Sequence, residues 1–172
     1  MAWRASILLA APHRLAFLSG SLGLVAAALW WPVRLGALHL GWAEPASGNL
    51  PAALLHAPVL LLQVYPAFIF GFLLTVFPRW MSQPDLTARR FGPASGAIAA
   101  GLAVTVIGLW TGTDAMIRIG FLTFAAGWAL GLVALAAVVC DNSRSGKPPC
   151  WHAVSALAAL TIGLGALLMV CA

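Results

Sequence analysis

The chain has 172 residues, of which 62% are hydrophobic and only 8% charged, with a mean hydropathy of +0.98. A soluble domain carries roughly a quarter charged residues, because water must be faced by something polar; this composition excludes a water-soluble globule and leaves lipid as the solvent of most of the surface. The net charge of +5 comes from nine basic residues scattered among apolar runs, which is not a nucleic-acid surface, and the length allows one membrane-embedded helical bundle over residues 1–172 with no appended soluble domain.

Residues 6–11 are apolar, but Pro12, His13 and Arg14 interrupt them, so the stretch is too short for a cleavable signal peptide. The expectation is that the first long run serves as an uncleaved signal anchor. Five runs reach the roughly 20 apolar residues that a helix needs to cross a bilayer, with no Asp, Glu, Lys or Arg inside: residues 15–33, 54–78, 93–113, 119–140 and 153–172. They are apolar on every face rather than alternating, so they predict an all-α bundle of about five transmembrane helices and not a barrel.

Between the first two runs, residues 34–53 begin apolar and end in turn residues, which predicts a short interfacial helix and an irregular return. Within the second run His56 and Gln63 are seven apart and share a face of a regular helix. Pro66 removes a backbone donor and predicts a kink. Together these point to a polar cavity or to helix–helix hydrogen bonding. Gly92 with Gly96, and Gly127 with Gly131, put small residues on one helix face. The fifth run is still apolar where the chain stops, which suits a short form of something larger or one piece of an assembly.

Basic residues set the orientation. Arg4, Arg14, Arg79, Arg89, Arg90, Arg144 and Lys147 fall on one side, and only Arg34 and Arg118 on the other. Basic residues in short loops stay cytoplasmic, which places the N-terminus inside. Trp30, Trp31, Trp80, Trp110 and Trp151 sit at helix ends, where an amphipathic ring prefers the headgroups. Trp128, mid-helix, reads as a packing residue.

Chemistry-bearing residues are few. Glu44, Asp85, Asp114 and Asp141 are the acids, and all are expected in loops, which disfavours an ion-coupled transporter. No paired carboxylates, phosphate loop, nucleophile elbow or HExxH is present, so catalysis is not favoured. Cys140, Cys150 and Cys171 lack the spacing of a zinc site or disulfide set. Neutral imidazole is a common axial ligand of haem iron, and helical bundles can hold haem between two histidines. By side of the membrane the candidate haem ligands pair as His39 with His56, outside, and His13 with His152, inside. The plainer use of each is a hydrogen bond to a headgroup or a loop carbonyl. His56 is the foremost candidate.

Two segments, APHRLAFLSG in the first run and FIFGFLLTVFPRWMSQP at the end of the second, resemble the NnrS family of bacterial multi-pass membrane proteins. The shared features fall on His56, Pro66, Gly71, Phe72, Leu73, Thr75, Pro78 and Trp80, and beyond the second run the likeness is one of hydropathy. The resemblance implies haem and copper binding, a link to nitric oxide stress and denitrification, and the bacterial inner membrane. Family members are generally longer, so the chain corresponds to their N-terminal portion. Many carry a His-Ala-His-Glu motif. Here His56 is followed by Ala57, Pro58 and Val59, which weighs against copper and leaves haem b as the implied cofactor. The expected function is that of a haem-binding protein in nitric oxide or respiratory metabolism; the alternative is a non-catalytic subunit packed against other membrane subunits of a respiratory complex. With the basic residues so divided, alkaline phosphatase fused after Arg90 should be inactive and a fusion after the fifth run active; the reverse pattern would overturn the orientation.

Overall fold

The computed structural model describes residues 7–43, 48–146, 148 and 150–171. Each apolar run corresponds to one helix, the third overrunning its helix by two residues: α1 (Pro12–Leu40), α2 (Ala52–Trp80), α3 (Ala88–Thr111), α4 (Asp114–Arg144) and α5 (Trp151–Cys171). All five are long and apolar enough to cross a membrane, and no strand occurs among the described residues. The protein is therefore a multi-pass membrane bundle, with lipid against its outer faces. The end of the bundle that carries the start of α1 is termed proximal, and the opposite end distal.

Most helices run past the apolar limits read from the sequence. α1 continues through Arg34 and His39 to Leu40, so the interfacial helix expected after residue 33 is the end of α1 itself. Gly41, at φ 68°, turns the chain, and Trp42 folds back over Gly36, where a Cβ would strike the indole. Asp114 and Asp141 likewise belong to the first and last turns of α4 rather than to loops, while Glu44 lies outside the described residues. Charged side chains at helix ends reach the interface along their own stems, so they do not stop a helix as they would stop an apolar window.

α2 is interrupted by a π-helical segment, Leu60–Val64, just before Pro66. Proline cannot donate to the preceding turn and its ring crowds the carbonyl four residues back. A wider turn relieves the crowding. It also rotates the two halves of α2 relative to each other, so His56 and Gln63 no longer share a face. His56 stacks on Trp31 of α1, and Gln63 bonds Thr105 of α3.

α3 and α4 form the tightest pair, α1 lies across α2 and α3, and α5 packs chiefly on α4. The α3–α4 turn is short because Gly112, at φ 64°, takes the left-handed position and Thr113 N–H closes onto Gly108 O at 3.0 Å. Backbone then meets backbone: a Cβ on Gly101 would lie 2.7 Å from Gly120 O, and one on Gly120 would lie 2.6 Å from Thr105 N. Gly127 is equally tight, 2.6 Å from Ile98 N, and Gly131 is packed by the Phe70 ring. Gly92 and Gly96 face open space, so that pair is no packing motif.

Two indoles lock the helices. Trp30 is buried within the bundle and donates to Leu109 O at 2.9 Å, one of the carbonyls that the end of α3 leaves unpaired. Trp128 donates to Leu160 O of α5, also at 2.9 Å, with its ring lying where Gly163 leaves room. It is the packing residue its position suggested. At the proximal end Arg90 and Arg144 pair with Asp141, and Arg79 with Asp85, at 3.1–3.4 Å; exposed pairs like these stabilise little.

Gly101→Ala should destabilise the bundle by ~1–3 kcal/mol, because its Cβ meets main chain that cannot rotate away. Gly96→Ala should be neutral or slightly stabilising. Thermal unfolding in detergent of the two variants checks this, and equal effects would contradict the packing described.

Candidate functional site

The four histidines occupy different settings. His39 is exposed in the last turn of α1. His56, half-buried on α2, lies flat against Trp31, with ring centroids 4.6 Å apart and planes 14° apart. Trp31 and His39 are about two turns apart along α1, so His56 and His39 do not converge. The Nδ1 of His56 is buried with no hydrogen-bond partner.

His13 begins α1 at the proximal end and is half-buried. Its Nδ1 lies 3.4 Å from the Thr75 hydroxyl on α2, and that hydroxyl donates to Gly71 O at 2.8 Å. Because the hydroxyl proton takes the shorter bond to Gly71 O, Thr75 Oγ1 is placed to accept from His13, an arrangement that favours the tautomer with the proton on Nδ1 and the lone pair on Nε2. The approach needs small residues: a Cβ on Gly71 would lie 2.8–2.9 Å from Phe17 and Ala16 of α1.

His152, exposed in the first turn of α5, reaches the Cys150 thiol, with Nδ1 to Sγ at 3.6 Å, and its ring stands 6.3 Å from Trp80. The thiol at this helix start is held below the ordinary thiol range, first by the His152 side chain and then by the N–H groups of His152 and Ala153. His13 and His152 thus address α2 at Thr75 and Trp80, five residues and roughly 140° apart around that helix, and they do not touch.

Gln63 is the remaining polar group of note. It is 0% exposed; its Nε2 donates to Thr105 Oγ1 at 3.0 Å and its Oε1 has no partner. A Cβ on Gly120 would strike the Thr105 hydroxyl, so the glycine makes room for this bond. Among the described residues no three His, Cys, Asp or Glu side chains converge on one point.

Ligating histidines almost always donate their second ring N–H to an acceptor, which fixes the tautomer and the ring. His13 has that support, from Thr75; His56 has none. The residues at His13 therefore fit a single imidazole ligand for haem iron better than those at the position the sequence favoured. Cys150 and the Thr75 support were not singled out in the sequence. The presence of both partners of the His13–Thr75 bond in the two segments APHRLAFLSG and FIFGFLLTVFPRWMSQP was the signal available.

Fold and site define an all-helical, multi-pass membrane protein with histidines at the ends of its spans. The family model described as NnrS protein matches residues 7–172, and the chain belongs to the NnrS family. The match runs through α5, well beyond the two helices whose motifs carried the resemblance. No curated protein and no solved structure matches the chain.

Because the neighbouring imidazole and helix N–H groups favour the thiolate, Cys150 should alkylate with a midpoint below that of an ordinary thiol. Measured with iodoacetamide against pH, in a chain carrying Cys140→Ser and Cys171→Ser, His152→Ala should move that midpoint upward. An unchanged midpoint would remove His152 from the account of this thiol.

Proposed function

We propose that this NnrS-family protein binds haem b in the bacterial inner membrane through His13, near the cytoplasmic surface, and acts in the nitric oxide response or in respiratory metabolism. The observation that carries the reading is the chain of hydrogen bonds from His13 Nδ1 through Thr75 Oγ1 to Gly71 O. It holds the ring on α2 and leaves Nε2 as a bare donor of its lone pair. What bound haem supplies is an iron that, held by one imidazole, can take a small diatomic ligand such as nitric oxide.

The protein's own residues set the terms of binding. Phe17, with its ring centroid 5.9 Å from that of His13, gives the imidazole an apolar neighbour, and Gly71 lets α1 and α2 approach closely enough for the bond to form. A polar interior partner for the ring is thereby supplied without a charged residue in the span, consistent with the cost of charge in lipid.

A second reading, a subunit packed against other membrane subunits, draws on α5. Only 11% of its most apolar stretch is buried in the bundle, against 50% for α2. A colourless protein that co-purifies with larger membrane subunits would favour that reading.

The dithionite-reduced spectrum, with pyridine haemochrome quantification, is the test. Wild type should show a b-type spectrum, His13→Ala should lose it while the protein still inserts, and Thr75→Val should lower haem affinity by about tenfold or more. Haem retained in His13→Ala, or a colourless wild type, would contradict the proposal.

A further inference from the structure

At the distal end, opposite the start of α1, three helices leave an open groove of about 270 Å³. Leu54 and Leu55 of α2, Phe121 of α4 and Val170 and Cys171 of α5 form its walls, and Arg118 of α4 stands among them. The walls are hydrocarbon, and the guanidinium is the one cation among the described residues that line them.

That cation is uncompensated. Arg118 is exposed and makes no hydrogen bond or ion pair among the described residues. Its natural helical partner, Asp114, sits one turn earlier, at a spacing that ordinarily pairs. Asp114 is turned elsewhere: its Oδ2 accepts from the Asn49 N–H at 2.8 Å, and the carboxylate lies in a neighbouring crevice beside Gly48 and Trp30. The chain thus places a guanidinium with no partner among the described residues about 6 Å along α4 from its start, beside the apolar walls of the groove.

We propose that this groove binds one anionic phospholipid of the distal leaflet, its phosphate on Arg118 and an acyl chain along Leu54, Leu55, Phe121 and Val170. Guanidinium matches phosphate as a planar, two-pronged donor. A lipid supplies both halves of the ligand at once: an anion at headgroup depth, and a hydrocarbon chain for the apolar walls. A zwitterionic lipid carries its own cation beside the phosphate, so the site should select lipids of net negative charge.

Native mass spectrometry of the purified, delipidated chain tests this, by titration with phosphatidylglycerol and phosphatidylcholine. Wild type should bind one phosphatidylglycerol about tenfold more tightly than phosphatidylcholine. Arg118→Gln should bring the two lipids to equal affinity, and Leu54→Trp, which projects a large ring into the groove from an exposed position, should weaken both. Thermal midpoints equal to wild type would show that both variants are folded. Equal binding of the two lipids by wild type, or an undiminished preference in Arg118→Gln, would overturn the proposal. So would displacement of phosphatidylglycerol by inorganic phosphate, which would make the site one for soluble anions, or a dimer lost in Leu54→Trp, which would seat a second copy of the chain there.

Discussion

Inside a bilayer no water is available to a polar group, so each donor and acceptor that the helical backbone leaves open must be answered within the bundle. That constraint selects the contacts that hold this protein together. Trp30 answers a carbonyl at the end of α3, Trp128 binds one on α5, Gln63 finds Thr105, and Thr75 returns its proton to Gly71. Each bond ties two helices, or prepares a group that does so. The glycines serve the same end, because donors reach across only where backbones approach closely.

The same constraint bears on the histidines, and they meet it unequally. An imidazole in or near lipid must place its ring proton somewhere, and where it goes decides which nitrogen is left to bind. At His13 the proton goes to Thr75, whose own proton is already committed to Gly71. At His56 the Trp31 indole covers one face of the ring and Nδ1 is buried without a partner. The two residues look alike in the sequence and differ in what their neighbours make of them. His152, for its part, is coupled to the Cys150 thiol at the start of α5.

Much of the architecture was legible because twenty apolar residues in a row have few other uses. The helix ends were less so, since α1 carries Arg34 and His39, and α4 carries Asp141 and Arg144, as helix rather than loop. Pro66 signalled a distortion, but not that a π-turn would rotate His56 away from Gln63. Small-residue spacing could not tell Gly127 and Gly131, which pack, from Gly92 and Gly96, which do not, because a motif on one helix says nothing about what faces it. The bond from His13 to Thr75 spans 62 positions, beyond any local pattern. The two segments that carry the resemblance contain its two ends, but nothing in them pairs one with the other.

The ligand role of His13 turns on the tautomer of its ring before any ligand is bound. Nitrogen-15 NMR of the haem-free protein, labelled at histidine and with His13 assigned by substitution, reads it directly. The expected result is the proton on Nδ1 and a bare Nε2. A proton on Nε2 with Nδ1 bare would mean that Thr75 donates to the ring instead of accepting from it, and the case for His13 as a ligand through Nε2 would fall.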